Sequence, residues 1–111
     1  MEIRVNHSYG RNETRLALDG RFDAHEITRF TDVTQSFQTN LCLDFAAVPF
    51  IDSSGLSALV SLYRQWTQRG LQLRIVRVQD PVWLIFEITR LLSVLPIEQE
   101  SDHFYTQGQL A

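Results

Sequence analysis

Three small polar residues, Asp52, Ser53 and Ser54, stand in a row just before Gly55 and the apolar-periodic stretch that begins at Leu56. Their chemistry is that of a helix entrance. Asp and Ser cap helix N-termini by accepting a hydrogen bond from backbone amides that have no partner inside the helix, each cap being worth about 1 kcal/mol. One residue suffices for that purpose, whereas here three crowd into one turn together with Gly55, a poor helix former. Beyond capping, a hydroxyl at a helix start lies where exposed amides and the helix dipole favour an added phosphate. Gly55, having no side chain, lets a second backbone come close.

Other chemistries lack their residues. Gly55-Leu56-Ser57-Ala58-Leu59 misses the second glycine of a hydrolase nucleophile elbow. His7, His25 and His103 are far apart and Cys42 is the sole cysteine, which is no zinc-ligand pattern and no disulfide. All ten basic residues are arginine, and without a lysine neither Schiff-base nor P-loop chemistry is available. The chain is therefore expected to be no enzyme, with no catalytic residue, no metal and no cofactor. A formal net charge of −3 supplies no field for a phosphate backbone, so direct nucleic-acid binding is not expected and a protein partner is. No apolar run approaches the roughly 20 residues that span a bilayer, so no membrane insertion is expected. The opening MEIRVN lacks a signal-peptide pattern, which points to a cytoplasmic protein.

Length and composition frame the elements that must position these residues. A chain of 111 residues with 44% hydrophobic and 21% charged residues suits one globular domain, residues 1–111. Ile3 to Ser8 and Arg15 to Leu18 read as two antiparallel strands joined by a turn near Gly10. Ala24 to Gln38 spaces Ile27, Phe30, Val33, Thr34 and Phe37 as a helical stripe. Leu41 to Phe45 alternates as a third strand, setting Leu41, Leu43 and Phe45 against Cys42 and Asp44. The second helix is predicted over Ser54 to Gln68, with Leu56, Leu59, Val60, Tyr63 and Trp66 inward, Ser57 and Ser61 outward, and Gly70 as its stop. Leu71 to Val78 gives a fourth strand with one wet face, and Pro81, capped by Asp80, opens a third helix carrying Val82, Ile85, Phe86, Thr89 and Leu92. After Pro96 a short strand and a terminal helix are expected, and Phe104 and Tyr105 have no assigned place. The whole is an α/β fold with a mixed, mostly parallel sheet of four to five strands and helices mainly on one face, because the strands alternate apolar with polar.

Asp52-Ser53-Ser54-Gly55-Leu56, preceded by Leu43-Asp44-Phe45 and Phe50-Ile51, resembles the signature of the STAS domain family, especially its anti-sigma-factor antagonists. A second match is Leu18-Asp19-Gly20-Arg21-Phe22-Asp23, similar to the family's L-x-G-E-[LIV]-D segment. The resemblance runs from the first hairpin through the third helix. It implies that the serine directly after the Asp, Ser53, is phosphorylated, with Ser54 as second choice, and that Asp23 lies beside it. The partner-binding surface it implies comprises Asp23, Asp52, Ser53, Ser54, Gly55, Ser57, Ser61 and Arg21. Arg21 and Ser57 depart from the family pattern, which often has Glu and Gly there.

The implied function is that of an anti-sigma-factor antagonist: it binds a kinase-type anti-sigma factor when unphosphorylated and is released once Ser53 is phosphorylated. That partner binds ATP and magnesium itself, and a serine phosphatase reverses the mark. The alternative is a non-switching STAS binding subunit of an ABC transporter or of a larger stress-signalling complex.

Overall fold

Alternation in β1 (Glu2–Ser8) and β2 (Glu13–Asp19) produces an antiparallel pair in register from Glu2 opposite Asp19 to Ser8 opposite Glu13. These come from a computed structural model that describes residues 1–8 and 12–98; the turn expected near Gly10, the terminal helix, and Phe104 and Tyr105 lie outside the described residues. β3 (Asn40–Ala47) and β4 (Leu73–Val76) add in parallel, giving a four-stranded mixed sheet in the order β1-β2-β3-β4. Ile97 bridges Ile75 in parallel, the one part of the expected fifth strand among the described residues.

The sheet buries one face beneath three helices. Leu16, Leu18, Leu41, Leu43, Phe45, Leu73 and Ile75 meet Phe30 of α1 (Ile27–Gln35), Leu59, Leu62 and Trp66 of α2 (Ser53–Gln68), and Val82, Trp83 and Phe86 of α3 (Asp80–Ile88) in a single core. The helices thus lie on one face, as the strand alternation predicts. Trp66 is fully buried, and its indole N–H donates to Thr39 O at 2.9 Å, so the polar atom of a large core ring is satisfied. No described helix is long and apolar enough to cross a membrane.

Several local expectations need correcting. A 3₁₀ turn over Ala24–Glu26 precedes α1, which stops at Gln35 and leaves Phe37 beyond its end. On α2 the buried stripe is Gly55, Leu59, Leu62 and Trp66, so Leu62 joins the core while Leu56, Val60 and Tyr63 flank it. Asp80 is not the cap of α3 but its first residue; Gln79 holds the cap position with extended backbone and no side-chain cap bond.

The end of α2 matches the glycine rule. Gly70 sits at φ +72°, its N–H donates to Thr67 O at 3.1 Å, and Leu71 N–H donates to Trp66 O at 2.8 Å, the paired bonds of a Schellman stop.

The wet face expected of the fourth strand does not extend to its neighbour β3. Cys42 and Asp44 are buried, and arginines from β2 and from the segment after β4 reach across them. Arg15 donates to Asp44 at 3.0 Å and Arg77 at 3.3 Å, while the Ala46 amide donates to the other Asp44 oxygen at 3.0 Å. The buried charge is therefore paired and hydrogen-bonded, the condition under which such a group is tolerated. Burial pushes the Cys42 thiol up from its ordinary value, with Arg74 and Arg15 opposing the shift.

Candidate functional site

The start of α2 is held by a carboxylate and by a missing side chain. Asp52, in extended conformation, accepts from the Gly55 amide at 3.0 Å through one oxygen and from the Ala24 amide at 3.2 Å through the other. One residue therefore caps α2 and fastens it to the loop after β2. That loop also pairs with the segment before the helix: Phe22 bridges Ile51 in parallel, Phe22 N–H donates to Phe50 O at 2.9 Å, and Asp52 N–H donates to Phe22 O at 3.3 Å.

Gly55 makes this approach possible. A Cβ built on it would stand 2.6 Å from the Phe22 carbonyl oxygen and 2.7 Å from Ile51 Cγ1, closer than real Cβ atoms come. The sequence expectation that Gly55 admits a second backbone is met, and Phe22 is the backbone admitted.

On this frame the predicted residues gather. Ser53 is the first residue of α2 and is exposed, with its hydroxyl making no hydrogen bond among the described residues. Ser54 is half-buried one position on. Asp23 caps the 3₁₀ turn by accepting from the His25 amide at 3.1 Å, and its second oxygen lies 3.7 Å from Arg21 Nε. Arg21 and Asp23 flank Phe22, which bonds to the strand end before Asp52, so both sit on the loop fastened to the start of α2.

Ser57 and Ser61 follow Ser53 along the exposed side of α2, and with Ser54 they line a groove of about 650 Å³ between α1 and α2. Its other wall is Ile27, Thr31, Thr34 and Gln35 of α1, over a floor that includes Phe30 and Leu62. The site thus continues from the helix entrance into a polar-rimmed groove. Unlike Asp52, whose two oxygens are both committed to backbone amides, Ser53 holds nothing in place. A doubly charged group added there would extend from the exposed start of the helix, where backbone amides and the helix dipole favour it, next to Asp52 in sequence.

Sequence reasoning missed two contributors. The α1 wall of the groove carries no motif and is brought to α2 only by the packing of the two helices. Phe50 lies under the guanidinium of Arg21, with the Cζ atom 4.1 Å from the ring centroid. Sequence reasoning named Phe50 only as a residue preceding the motif, and of the pair it is Ile51 that is buried while Phe50 stays exposed.

Comparison with known proteins agrees with this geometry. A curated relative, the anti-sigma F factor antagonist of Paenibacillus polymyxa, is 24% identical over 103 residues, covering 87% of each chain. The crystal structure of an anti-sigma factor antagonist from Mycobacterium paratuberculosis superposes with a TM-score of 0.73 at 19% identity, over 96% of this chain and 92% of that one. The Bacillus cell fate determinant SpoIIAA in its phosphorylated form superposes with a TM-score of 0.62 at 16% identity, over 95% of this chain and 98% of that one. The STAS domain model matches residues 5–103, nearly the whole chain, and with the sheet order and the capped entrance of α2 in view, the chain belongs to the STAS domain family.

Proposed function

We propose that this protein is an anti-sigma-factor antagonist that docks on a kinase-type anti-sigma factor while Ser53 is unmodified and leaves it once Ser53 carries phosphate. The observation that carries the reading is the exposed Ser53 hydroxyl at the first position of α2, unengaged among the described residues while Asp52 does the capping. The Paenibacillus relative and the Mycobacterium neighbour named above are, by their own descriptions, anti-sigma factor antagonists, and the Bacillus cell fate determinant is described in a phosphorylated form.

The docking surface comprises Arg21, Asp23, Asp52, Ser53, Ser54, Gly55, Ser57 and Ser61. A phosphate adds about −1.5 to −2 charge at neutral pH. The amides and dipole of α2 accommodate it locally, so the fold persists. Release comes from bulk at the interface and from repulsion reinforced by Asp52 and Asp23. The ATP and magnesium belong to the partner, and a serine phosphatase restores the docking state. The compartment is the cytoplasm.

The test is to incubate the protein with each kinase-type anti-sigma factor of its host, ATP and magnesium, and to map incorporated phosphate by mass spectrometry. Incorporation at Ser53, lost in Ser53→Ala, is expected, together with markedly weaker partner affinity for Ser53→Asp. Phosphate that persists in Ser53→Ala at a residue other than Ser54 would overturn the site. Undiminished affinity of Ser53→Asp would overturn the switch and return the protein to the class of fixed binding subunits.

A further inference from the structure

Beside the entrance of α2, the guanidinium of Arg21 rests on the ring of Phe50. Both remain open to solvent, the Arg21 side chain at 63% and Phe50 at 38%. A single exposed phenylalanine needs no explanation. One whose face supports a guanidinium is different, because stacking takes away much of the freedom that a surface arginine otherwise keeps. The backbone beneath is fixed as well, through the Phe22 N–H bond to Phe50 O and the Phe22–Ile51 bridge.

The Arg21 guanidinium donates no hydrogen bond among the described residues. Its ion pair with Asp23, Nε to oxygen at 3.7 Å, lies beyond hydrogen-bond range. Asp23 is turned partly elsewhere, since its other oxygen accepts from the His25 amide. By contrast Arg15 and Arg77 are committed to Asp44, and Arg74 to Glu13 and Glu98. A positioned guanidinium whose terminal nitrogens donate no hydrogen bond among the described residues matches one chemical group best, a carboxylate gripped by both. A nucleic-acid phosphate is the poorer match, because the chain is net negative.

We infer that Arg21 and Phe50 form the specificity contact of the docking surface: the partner places an aspartate or glutamate in the Arg21 fork and an aliphatic side chain against the open edge of Phe50. Arginine paired with an aromatic ring is the composition of energetic centres in protein interfaces. The contact steers encounter through charge, so association falls as salt rises. This inference rests on the docking role proposed above and specifies what the partner must carry.

Because the chain contains no lysine, Arg21→Lys installs the only side-chain amine in the protein. The variant, mixed with each purified kinase-type anti-sigma factor of the host in ADP and magnesium so that Ser53 stays unmodified, is treated with a carbodiimide, which joins an amine directly to a carboxylate. We expect coupling of residue 21 to an aspartate or glutamate of the partner, located by tandem mass spectrometry. In parallel, Arg21→Glu should weaken binding at least tenfold and flatten its salt dependence, with unchanged circular dichroism because the side chain is exposed. Equal affinity of Arg21→Glu and the parent overturns the inference, as does an intact complex in which residue 21 couples only to Asp23 of its own chain. Failure of the underlying reading looks different: binding of Ser53→Asp as tight as the parent sinks the switch and leaves the coupling result standing. If no anti-sigma factor binds the parent at all, both fall.

Discussion

The entrances of α2 and α3 both follow the end of a parallel strand, yet they are secured by different means. At α3 the backbone of the first turn is set covalently, although the residue before it is also tied across the chain. Pro81 presets the backbone of the first turn, and Gln79, rather than capping with its side chain, spends its amide on Ala46 O at 2.7 Å. At α2 the constraint comes from elsewhere in the chain. Asp52 binds an amide 28 residues away, and Gly55 is empty so that Phe22 can occupy the space its side chain would take. The first arrangement holds a helix in place; the second holds a helix in place and leaves its first residue, Ser53, with nothing structural to do. A modifiable side chain on a frame that does not depend on it can change charge without unfolding its own platform.

Substitutions can break or sharpen that contrast. The largest effect is expected from Gly55→Ala. In an open helix this change gains about 0.5–1 kcal/mol, but overpacking a filled site costs about 1–3 kcal/mol. The 2.6 Å approach to a backbone oxygen places Gly55 in the second class. Net destabilisation in a urea titration is therefore expected, and a stabilised variant would show that Phe22 yields easily. Next comes Asp52→Ala, which removes a cap and the tie to Ala24 together; a loss of about 1–2 kcal/mol is expected, the upper part of the cap range. Asp52→Asn should recover part of it, since its amide oxygen can still accept from Gly55. Pro81→Ala should cost less, about 0.4–1 kcal/mol, through the greater freedom of the unfolded chain. Smallest of all, Ser53→Ala should leave the denaturation midpoint unchanged while removing the phosphate-accepting hydroxyl. A shift comparable to that of Asp52→Ala would mean that Ser53 is part of the frame after all.

A separate prediction concerns the far face of the sheet. The Cys42 thiol, raised by burial, keeps its proton in the folded chain at pH values where the unfolded chain begins to lose it. The stabilising contribution is complete below the unfolded pKa and is lost as pH rises through the folded one. Stability should therefore decline above the ordinary thiol value of 9.0, and the decline should lessen in Cys42→Ala.

How far the sequence could be read follows from where each constraint lies. Period-two alternation in β1 to β3 and the 3.6-residue stripe of α2 are local, and they placed the sheet, its parallel crossovers and the helical layer. Gly55 was legible as a point of close approach, though Phe22 as the approaching group was not, because the contact joins segments 33 residues apart. Leu62 was left unassigned because the inward side of α2 centres on Gly55, the residue with no hydrophobicity to announce it. Cys42 and Asp44 of β3 were read as the side opposite Leu41, Leu43 and Phe45, and both are buried there. Long arginines can cover what lies between them with their stems and heads, and pattern alone does not reveal which arginine reaches where. Asp80 was assigned as a cap from its type, but Gln79, with its extended backbone, took that place.

Arg74 grips Glu13 through two bonds of 2.9 Å and Glu98 through one of 2.6 Å, so a single guanidinium joins β2, β4 and the chain after the third helix. Glu13 and Arg74 are 61 positions apart, so the clasp links β2 to β4 across β3 through charge-assisted bonds. Rising salt should loosen it while the apolar core on the other face is left intact.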